Sequence, residues 1–237
     1  MVETKLDPKE ERQYKQLRRL GQKLHVPIPE HFITLEVFDK SGKLIQRHHQ
    51  RSHSWVRNAY NCIFSNLAGK DGSDAAPFQG GRLNWKAIDA GVIAAAKPIF
   101  TTDATADDAS TRGYRASVGN DDSGIVVGSG VNAEDFEDFV LQTLIVDGAA
   151  AGQLNYVEGE AHSITYAALT LKNTIVRYFN NNSGGDVNIN EVALVFGQMS
   201  KGVDHCLMSR DHLASTVTVP DTGQLKVTFT IELTYPS

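Results

Sequence analysis

An alternation of apolar and polar residues between Leu225 and Tyr235 constrains the fold more than any other feature of this sequence. Leucine, valine, phenylalanine, isoleucine, leucine and tyrosine take every second position, and lysine, threonine or glutamate takes each position between them. A period of two is typical of a β-strand with one face in a core and the other in solvent. We therefore predict a strand over 225–235 with one buried face.

Further strands are predicted throughout the second half of the chain. Short runs rich in β-branched and apolar residues, separated by Asn, Gly and Ser clusters, cover 164–171, 174–179, 187–196, 206–208 and 216–219. The turn sequence at 220–223 (PDTG) predicts that the last two strands pair as an antiparallel hairpin. Many short strands with turn signals favour a mainly β fold, an antiparallel β-sandwich of jelly-roll or immunoglobulin-like type.

Residues 1–30 predict a helical arm that precedes this sandwich. Asp7 has the character of an N-cap, Pro8 suits the first helical position, and Gly21 is a plausible stop. These signals predict a helix over 8–20.

The arm is basic and has a narrow apolar stripe. Residues 1–24 carry a local charge of +3, against a net charge of −5 for the whole chain. Apolar residues recur along the arm at helical spacing, namely Tyr14, Leu17, Leu20 and Leu24. We expect this stripe to lie against its own domain or against a neighbouring subunit.

Residues 31–237 are assigned to one sandwich domain with a long loop. The sequence predicts a hairpin from two strands, 32–38 and 43–48, and a second short helix over 54–67. Between about 70 and 124 the chain is rich in Gly, Ala, Asp and Ser. This excursion either reaches a partner or wraps the core, with short strands near 92–95 and 99–101, or it is disordered in the isolated protein.

Composition limits the class of protein. With 237 residues, 41% hydrophobic and 22% charged, the chain belongs to the globular range. Its acidic balance argues against nucleic acid as a partner. We expect Cys62 and Cys206 to be reduced, because their spacing fits neither a metal knuckle nor a disulfide framework. No run of 18 apolar residues and no export signal is present, so we expect a soluble protein without a membrane partner.

The sequence gives no strong motif for catalysis, a cofactor or a metal. It contains no phosphate-binding glycine loop, no hydrolase elbow and no zinc-protease helix motif, so we expect no enzyme and no cofactor. His48 and His49 are adjacent on a predicted strand and would point to opposite faces, so they could not easily share a metal with His53. Arg210 and Asp211 predict an ion pair that fixes a turn between two strands.

Three blocks carry a resemblance to a known family. They are VGSGVNAEDFEDFVLQTLIVDG at 127–148, VRYFNNNSGGDVNINEVALVF at 176–196 and CLMSRDHLASTVTVPDTGQLKVTFTIEL at 206–233. Their glycines, turn residues and charged residues resemble those of a family of virion structural proteins of tailed bacteriophages. One departure is Ala193, where that family usually has glycine. The resemblance covers roughly 32–67 and 124–235, and misses the arm and the excursion.

The resemblance implies a non-enzymatic structural subunit of a phage virion. As its location within the virion, the tail or neck apparatus is preferred to the capsid surface. Such a subunit would form a homo-oligomer, a symmetric ring or multimer, and would contact other virion structural proteins. Its location would be the virion, assembled in the host cytoplasm. The apolar stripe of the arm supplies three interface candidates, Tyr14, Leu17 and Leu20. The resembling blocks supply the other structural and interface candidates, Arg177, Asn181, Asn182, Gly184, Glu191, Arg210 and Asp211.

Two other functions stay open on the sequence. A receptor-binding or carbohydrate-binding fibre or capsid-surface protein is suggested by aromatic residues in or near the excursion, Trp85 and Tyr114. A glycan-cleaving sandwich enzyme would need two carboxylates across a groove, and Glu158 with Glu160 is the candidate pair.

Overall fold

The computed structural model describes residues 1–68, 86–89, 113–197 and 205–236. Within them the chain forms a short strand β1 (Val2–Thr4), a helix α1 (Pro8–Leu24), two strands β2 (Ile28–Phe38) and β3 (Leu44–Arg51), and a helix α2 (Arg57–Ala68). The remaining strands are β4 (Gly124–Gly128), β5 (Asn155–Tyr156), β6 (Ser163–Ala167), β7 (Thr170–Asn180), β8 (Val187–Phe196), β9 (Cys206–Val219) and β10 (Gln224–Thr234).

The strands form two sheets. The larger sheet has seven strands in the order β1-β3-β2-β10-β7-β5, with β6 also paired to β7. The smaller sheet has three strands in the order β4-β8-β9. All pairs are antiparallel except β1 with β3. The inner faces of the two sheets share one apolar core, so the predicted antiparallel β-sandwich with two helices is confirmed.

Strand β10 lies in the middle of the larger sheet, and the alternation predicted over 225–235 is confirmed from Leu225 to Phe229. Beyond Phe229 both faces of the strand are partly exposed. Leu225, Val227 and Phe229 are fully buried, and the residues between them are partly exposed. The register places Phe229 between Ile33 of β2 and Ile175 of β7. The apolar face predicted from the sequence is therefore the inner layer of the sandwich.

Helix α1 begins as predicted but ends later. The Asp7 side chain accepts a hydrogen bond from the Lys9 backbone N–H, 2.8 Å away, and caps the helix. The helix passes through Gly21 and ends at Leu24, where His25 adopts a left-handed conformation. Gly21 is needed for another reason: a Cβ there would lie 2.7 Å from the Val26 carbonyl oxygen. The prediction that Gly21 stops the helix is wrong.

The predicted hairpin between the last two strands is also wrong. Residues 216–219 belong to the long strand β9, which pairs with β8 in the smaller sheet. Strand β10 pairs with β2 and β7 in the larger sheet. The turn at 220–223 therefore carries the chain from one sheet to the other, and such a turn has the same local sequence as a hairpin turn.

The remaining predictions about the fold have different outcomes. The hairpin of β2 and β3 is confirmed, and the predicted strand over 164–171 is divided into β6 and β7 by a turn at 168–169. Cys62 and Cys206 are not joined by a disulfide. Most of the excursion, including the strands predicted near 92–95 and 99–101, lies outside the described residues. In the described part, no helix is long and apolar enough to span a membrane.

The position of Phe229 yields a stability prediction. Replacing Phe229 with alanine removes a ring that is fully buried between the sheets, so Phe229→Ala should lower the free energy of unfolding by about 3 to 5 kcal/mol. Thr228→Ala, on the partly exposed face of the same strand, is the matched control and should cost little. Denaturant titration measures both, and equal losses would contradict the register.

Candidate functional site

Glu191 and Arg210 form a buried ion pair between β8 and β9. The Arg210 Nε donates to Glu191 Oε2 over 2.7 Å, and both side chains are almost fully buried. A second carboxylate, Asp138, accepts from Arg210 Nη1 over 2.8 Å. Burial acts to lower the pKa of Arg210, and the two carboxylates outweigh that effect and raise it.

This pair holds the loop over 129–143 in place. Glu191 accepts three backbone N–H groups of the loop, from Gly130, Gln142 and Thr143. Arg210 donates to two of the loop's carbonyl oxygens. A Cβ on Gly130 would lie 2.6 Å from Glu191 Oε1, so glycine permits this close approach. Two candidates and a glycine from the first resemblance block thus meet in one cluster.

Asp211 belongs to a different cluster on the opposite side of β9. Its carboxylate accepts from the Ser52 hydroxyl over 2.7 Å and from the His53 backbone N–H over 3.2 Å. Successive residues of a strand point to opposite faces, so Arg210 and Asp211 do not pair. The predicted ion pair in a turn is therefore wrong, because both residues lie inside a long strand.

The Asp211 cluster is the group best placed to hold a metal ion in the described part of the chain. Ligand atoms of His53, Glu134 and Asp211 all lie within 4.8 Å of one another. Burial raises the pKa of Asp211 to about 6, which weakens it as an ionic ligand below that pH. Both carboxylates already accept protein donors, Glu134 from the His212 backbone N–H, so hydrogen bonding accounts for their positions.

Arg177 is a buried cation in the inner layer of the larger sheet. All five of its N–H groups donate to backbone carbonyl oxygens, at distances between 2.6 and 3.1 Å, namely those of Ser117, Asn120, Ser123, Ile125 and Val157. Its guanidinium carbon lies 4.8 Å from the centre of the Tyr156 ring. Burial lowers the pKa of Arg177 to about 10, so it stays protonated at neutral pH. This side chain fastens the segment before β4 to the sheet.

Asn181, Asn182 and Gly184 lie together in the turn between β7 and β8. The Asn181 amide donates to the carbonyl oxygens of Gly185 and Val219, and its oxygen accepts from Ser183. Asn182 donates to the Asn155 side chain, and Gly184 adopts a positive φ of 78°. The Asn181 contacts join the two sheets at this end.

Tyr14 helps to fasten α1 to the outer face of the larger sheet. The Arg51 guanidinium carbon lies 3.8 Å from the centre of the Tyr14 ring. Arg51 also donates to Glu11 and to Glu30, over 2.6 and 2.7 Å. Arg18 of the helix donates to Glu30 as well. The helix is therefore held by a charged and aromatic cluster around a buried arginine.

The predicted stripe of α1 is divided between two faces of the helix. Tyr14 lies on the docked face with Glu11, Arg18 and Gly21. Leu17 and Leu20, in contrast, are 42% and 51% exposed. Leu24 and Val26 continue this exposed apolar face. Since exposed apolar patches on proteins often mark interaction sites, this face is a candidate interface.

A polar depression of about 570 Å³ opens at the end of the larger sheet. Aromatic and amide side chains line part of it, namely Phe38, Tyr178, Asn180, Asn182 and Gln224. Of the aromatic residues proposed from the sequence for glycan binding, Trp85 lies outside the described residues. Tyr114 packs edge-on against Phe196, with ring centres 5.3 Å apart, and burial raises its pKa. Tyr114 is therefore partly buried and packs against the core.

The sequence missed the cluster around Arg51. Its members, Glu11, Glu30 and Arg51, come from three separate elements, and only their tertiary contact shows that they belong together. His48 and His49 do point to opposite faces, as predicted: the register places His48 beside Leu35 and His49 beside Thr34.

Comparisons with known proteins identify no relative of this chain. Family models, curated proteins and solved structures were all compared with it, and none matches. The function therefore has to be inferred from the clusters and surfaces described above.

The buried ion pair gives a prediction with a matched control. Glu191→Ala leaves a buried guanidinium with one carboxylate fewer and three backbone N–H groups without their acceptor. It should lower the free energy of unfolding by about 3 to 5 kcal/mol. Glu137 pairs with Arg57 on the surface, so Glu137→Ala should cost less than about 1 kcal/mol. Denaturant titration compares them, and similar small losses would contradict the role given to Glu191.

Proposed function

We propose that this protein is a non-enzymatic structural subunit of a tailed-phage virion, in the tail or neck apparatus. It acts by assembling with copies of itself and by contacting other virion structural proteins. Its location is the virion, which is assembled in the host cytoplasm. The family resemblance supports the assignment to a virion, and the exposed surfaces of the chain support self-assembly.

The observation that carries this proposal is the orientation of α1. Its docked face is charged and aromatic, and its leucines point away from the sheet, with Leu20 and Leu24 more than half exposed. An amphipathic helix normally buries its apolar stripe in its own core. Here the stripe is left for another molecule, as in a subunit that completes its packing on assembly.

The buried charged clusters support the proposal because they hold the loops of the sandwich in fixed positions. Arg177 and the Glu191–Arg210 pair form hydrogen bonds with backbone groups of the segments that they hold. Fully satisfied polar networks of this kind favour one defined arrangement of loops. A defined surface is what repeated contacts between identical subunits require.

Light scattering after size exclusion tests the assembly. Across a range of concentrations the protein should move from the 25.9 kDa chain to one discrete, larger mass, because a closed symmetric assembly has a fixed number of subunits. A monomer at every concentration would contradict self-assembly. Immunogold labelling of phage particles tests the location, and the label should lie on the tail or neck.

A second candidate function rests on the polar depression beside Tyr178. Its amides could donate to and accept from sugar hydroxyls, while an aromatic ring packs on the apolar face of a sugar. The amides of Asn180 and Gln224 are already ordered by a hydrogen bond of 2.8 Å between them. This geometry favours glycan binding as the alternative, for a receptor-binding fibre or a capsid-surface protein.

A glycan array distinguishes this alternative. If the depression binds sugars, the protein should give a defined set of positive spots, and Tyr178→Ala should remove them. Tyr235, another partly exposed aromatic outside the depression, provides the control, since Tyr235→Ala should leave the same spots. A blank array with the native protein would count against the alternative.

A further inference from the structure

We infer that the outward face of α1 docks on an acidic and apolar surface of a second copy of this chain, in a head-to-tail contact. The inference rests on the proposed function, because it names the two surfaces through which the subunit would assemble. The first surface is the helix face, defined by Leu17, Leu20 and Leu24 together with the two cations nearest to them around the helix, Arg12 and Lys23. The second is the acceptor surface, defined by Phe136, Val140, Leu144, Asp121 and Asp135.

The helix face combines leucines with cations. Spacings of three and four residues place Leu17, Leu20 and Leu24 in one row. Arg12 and Lys23 lie beside this row, and the other two exposed cations, Lys15 and Arg19, lie further round the helix. None of these four cations forms an ion pair with any other residue in the described ranges. Arg18, which lies on the docked face, is the helix cation that pairs with Glu30.

The acceptor surface has the opposite charge and a comparable apolar content. Residues 129–147 contain five carboxylates and no lysine or arginine. Arg57 and Arg210 neutralise two of these carboxylates, Glu137 and Asp138, and Lys86 lies over the Phe139 ring of the segment. The five carboxylates still outnumber these three cations, so the segment keeps an acidic excess. Phe136, Val140 and Leu144 are each more than a third exposed between the carboxylates.

A groove in the acceptor surface offers a place for a leucine side chain. It has a volume of about 120 Å³, and Val140 and Leu144 stand at it together with the core residues Val126 and Leu207. Asp121 lies at the same groove. An apolar groove with a carboxylate at its side suits a helix that carries leucines beside lysines and arginines.

Charge selects the second copy over other occupants of the helix face. A face of leucines and cations would also suit an anionic lipid surface. This chain, however, carries its own surface with the matching acidic charge and exposed apolar side chains. Because the two surfaces differ, the contact is heterologous, and each subunit can use both at once, which generates rings or filaments.

A mixing experiment with two double variants tests the contact. Leu20→Asp with Leu24→Asp disables the helix face, and Val140→Lys with Leu144→Lys disables the acceptor surface. Each double variant alone should raise the dissociation constant at least about a hundredfold, because two buried apolar side chains are lost. Ile164→Asp changes a side chain that is 68% exposed on β6, and this control should assemble like the native chain.

Mixing the two double variants in equal amounts should restore one contact. The intact helix face of one variant docks on the intact acceptor surface of the other, and light scattering should report a mass of two chains and no larger species. Near-UV circular dichroism of each variant confirms that it is folded. If the native chain forms an oligomer but the mixture of the two variants stays monomeric, the head-to-tail contact is overturned. Self-assembly of the native chain would still be supported.

Two further outcomes separate the inference from the proposed function. A native chain that stays monomeric at every concentration overturns both. If that monomer sediments with phosphatidylserine vesicles and the Leu20→Asp, Leu24→Asp variant does not, the helix face binds lipid, and the contact between copies is excluded as its purpose.

Discussion

Three buried arginines hold the parts of this molecule that sheet hydrogen bonds do not reach. Arg51, Arg177 and Arg210 are each no more than 2% exposed. Arg51 fastens α1 to the outer face of the larger sheet, Arg177 fastens the segment over 117–125, and Arg210 fastens the loop over 132–138. A buried guanidinium without partners is very costly, so each segment is tied to the sandwich by the arginine it covers.

The sequence predicted the strands best where the local pattern and the core agree. β10 and β8 were found because their apolar residues face a core over most of their length. The path from β9 to β10 was missed, because the turn at 220–223 has the same local sequence whether its flanking strands pair or separate. Long-range pairing of β9 with β8 decides between these outcomes, and no local signal records it.

The side-chain clusters, like the strands, were predictable only where the local sequence carries a signal. Glu191 stands alone in a run of buried apolar residues, which is a signal that an internal partner exists. The identity of that partner, Arg210, was not predicted, because the sequence paired Arg210 with its neighbour Asp211. Arg51 gave no comparable signal, since Glu11 and Glu30 lie 40 and 21 residues away in sequence. Side-chain clusters assembled from distant elements follow from the tertiary fold and cannot be derived from spacing.

The charged docking of α1 changes how assembly would work. An arm that became ordered only on a neighbour would spend part of its contact energy on that ordering. Here Tyr14 and Arg18 already hold the helix on its own sheet, and Leu20 and Leu24 take no part in that contact. The conformational entropy of the helix is therefore lost when the chain folds, and a docking neighbour meets a preformed face. A small contact of this kind can be specific without being strong, and closing a ring would multiply its effect.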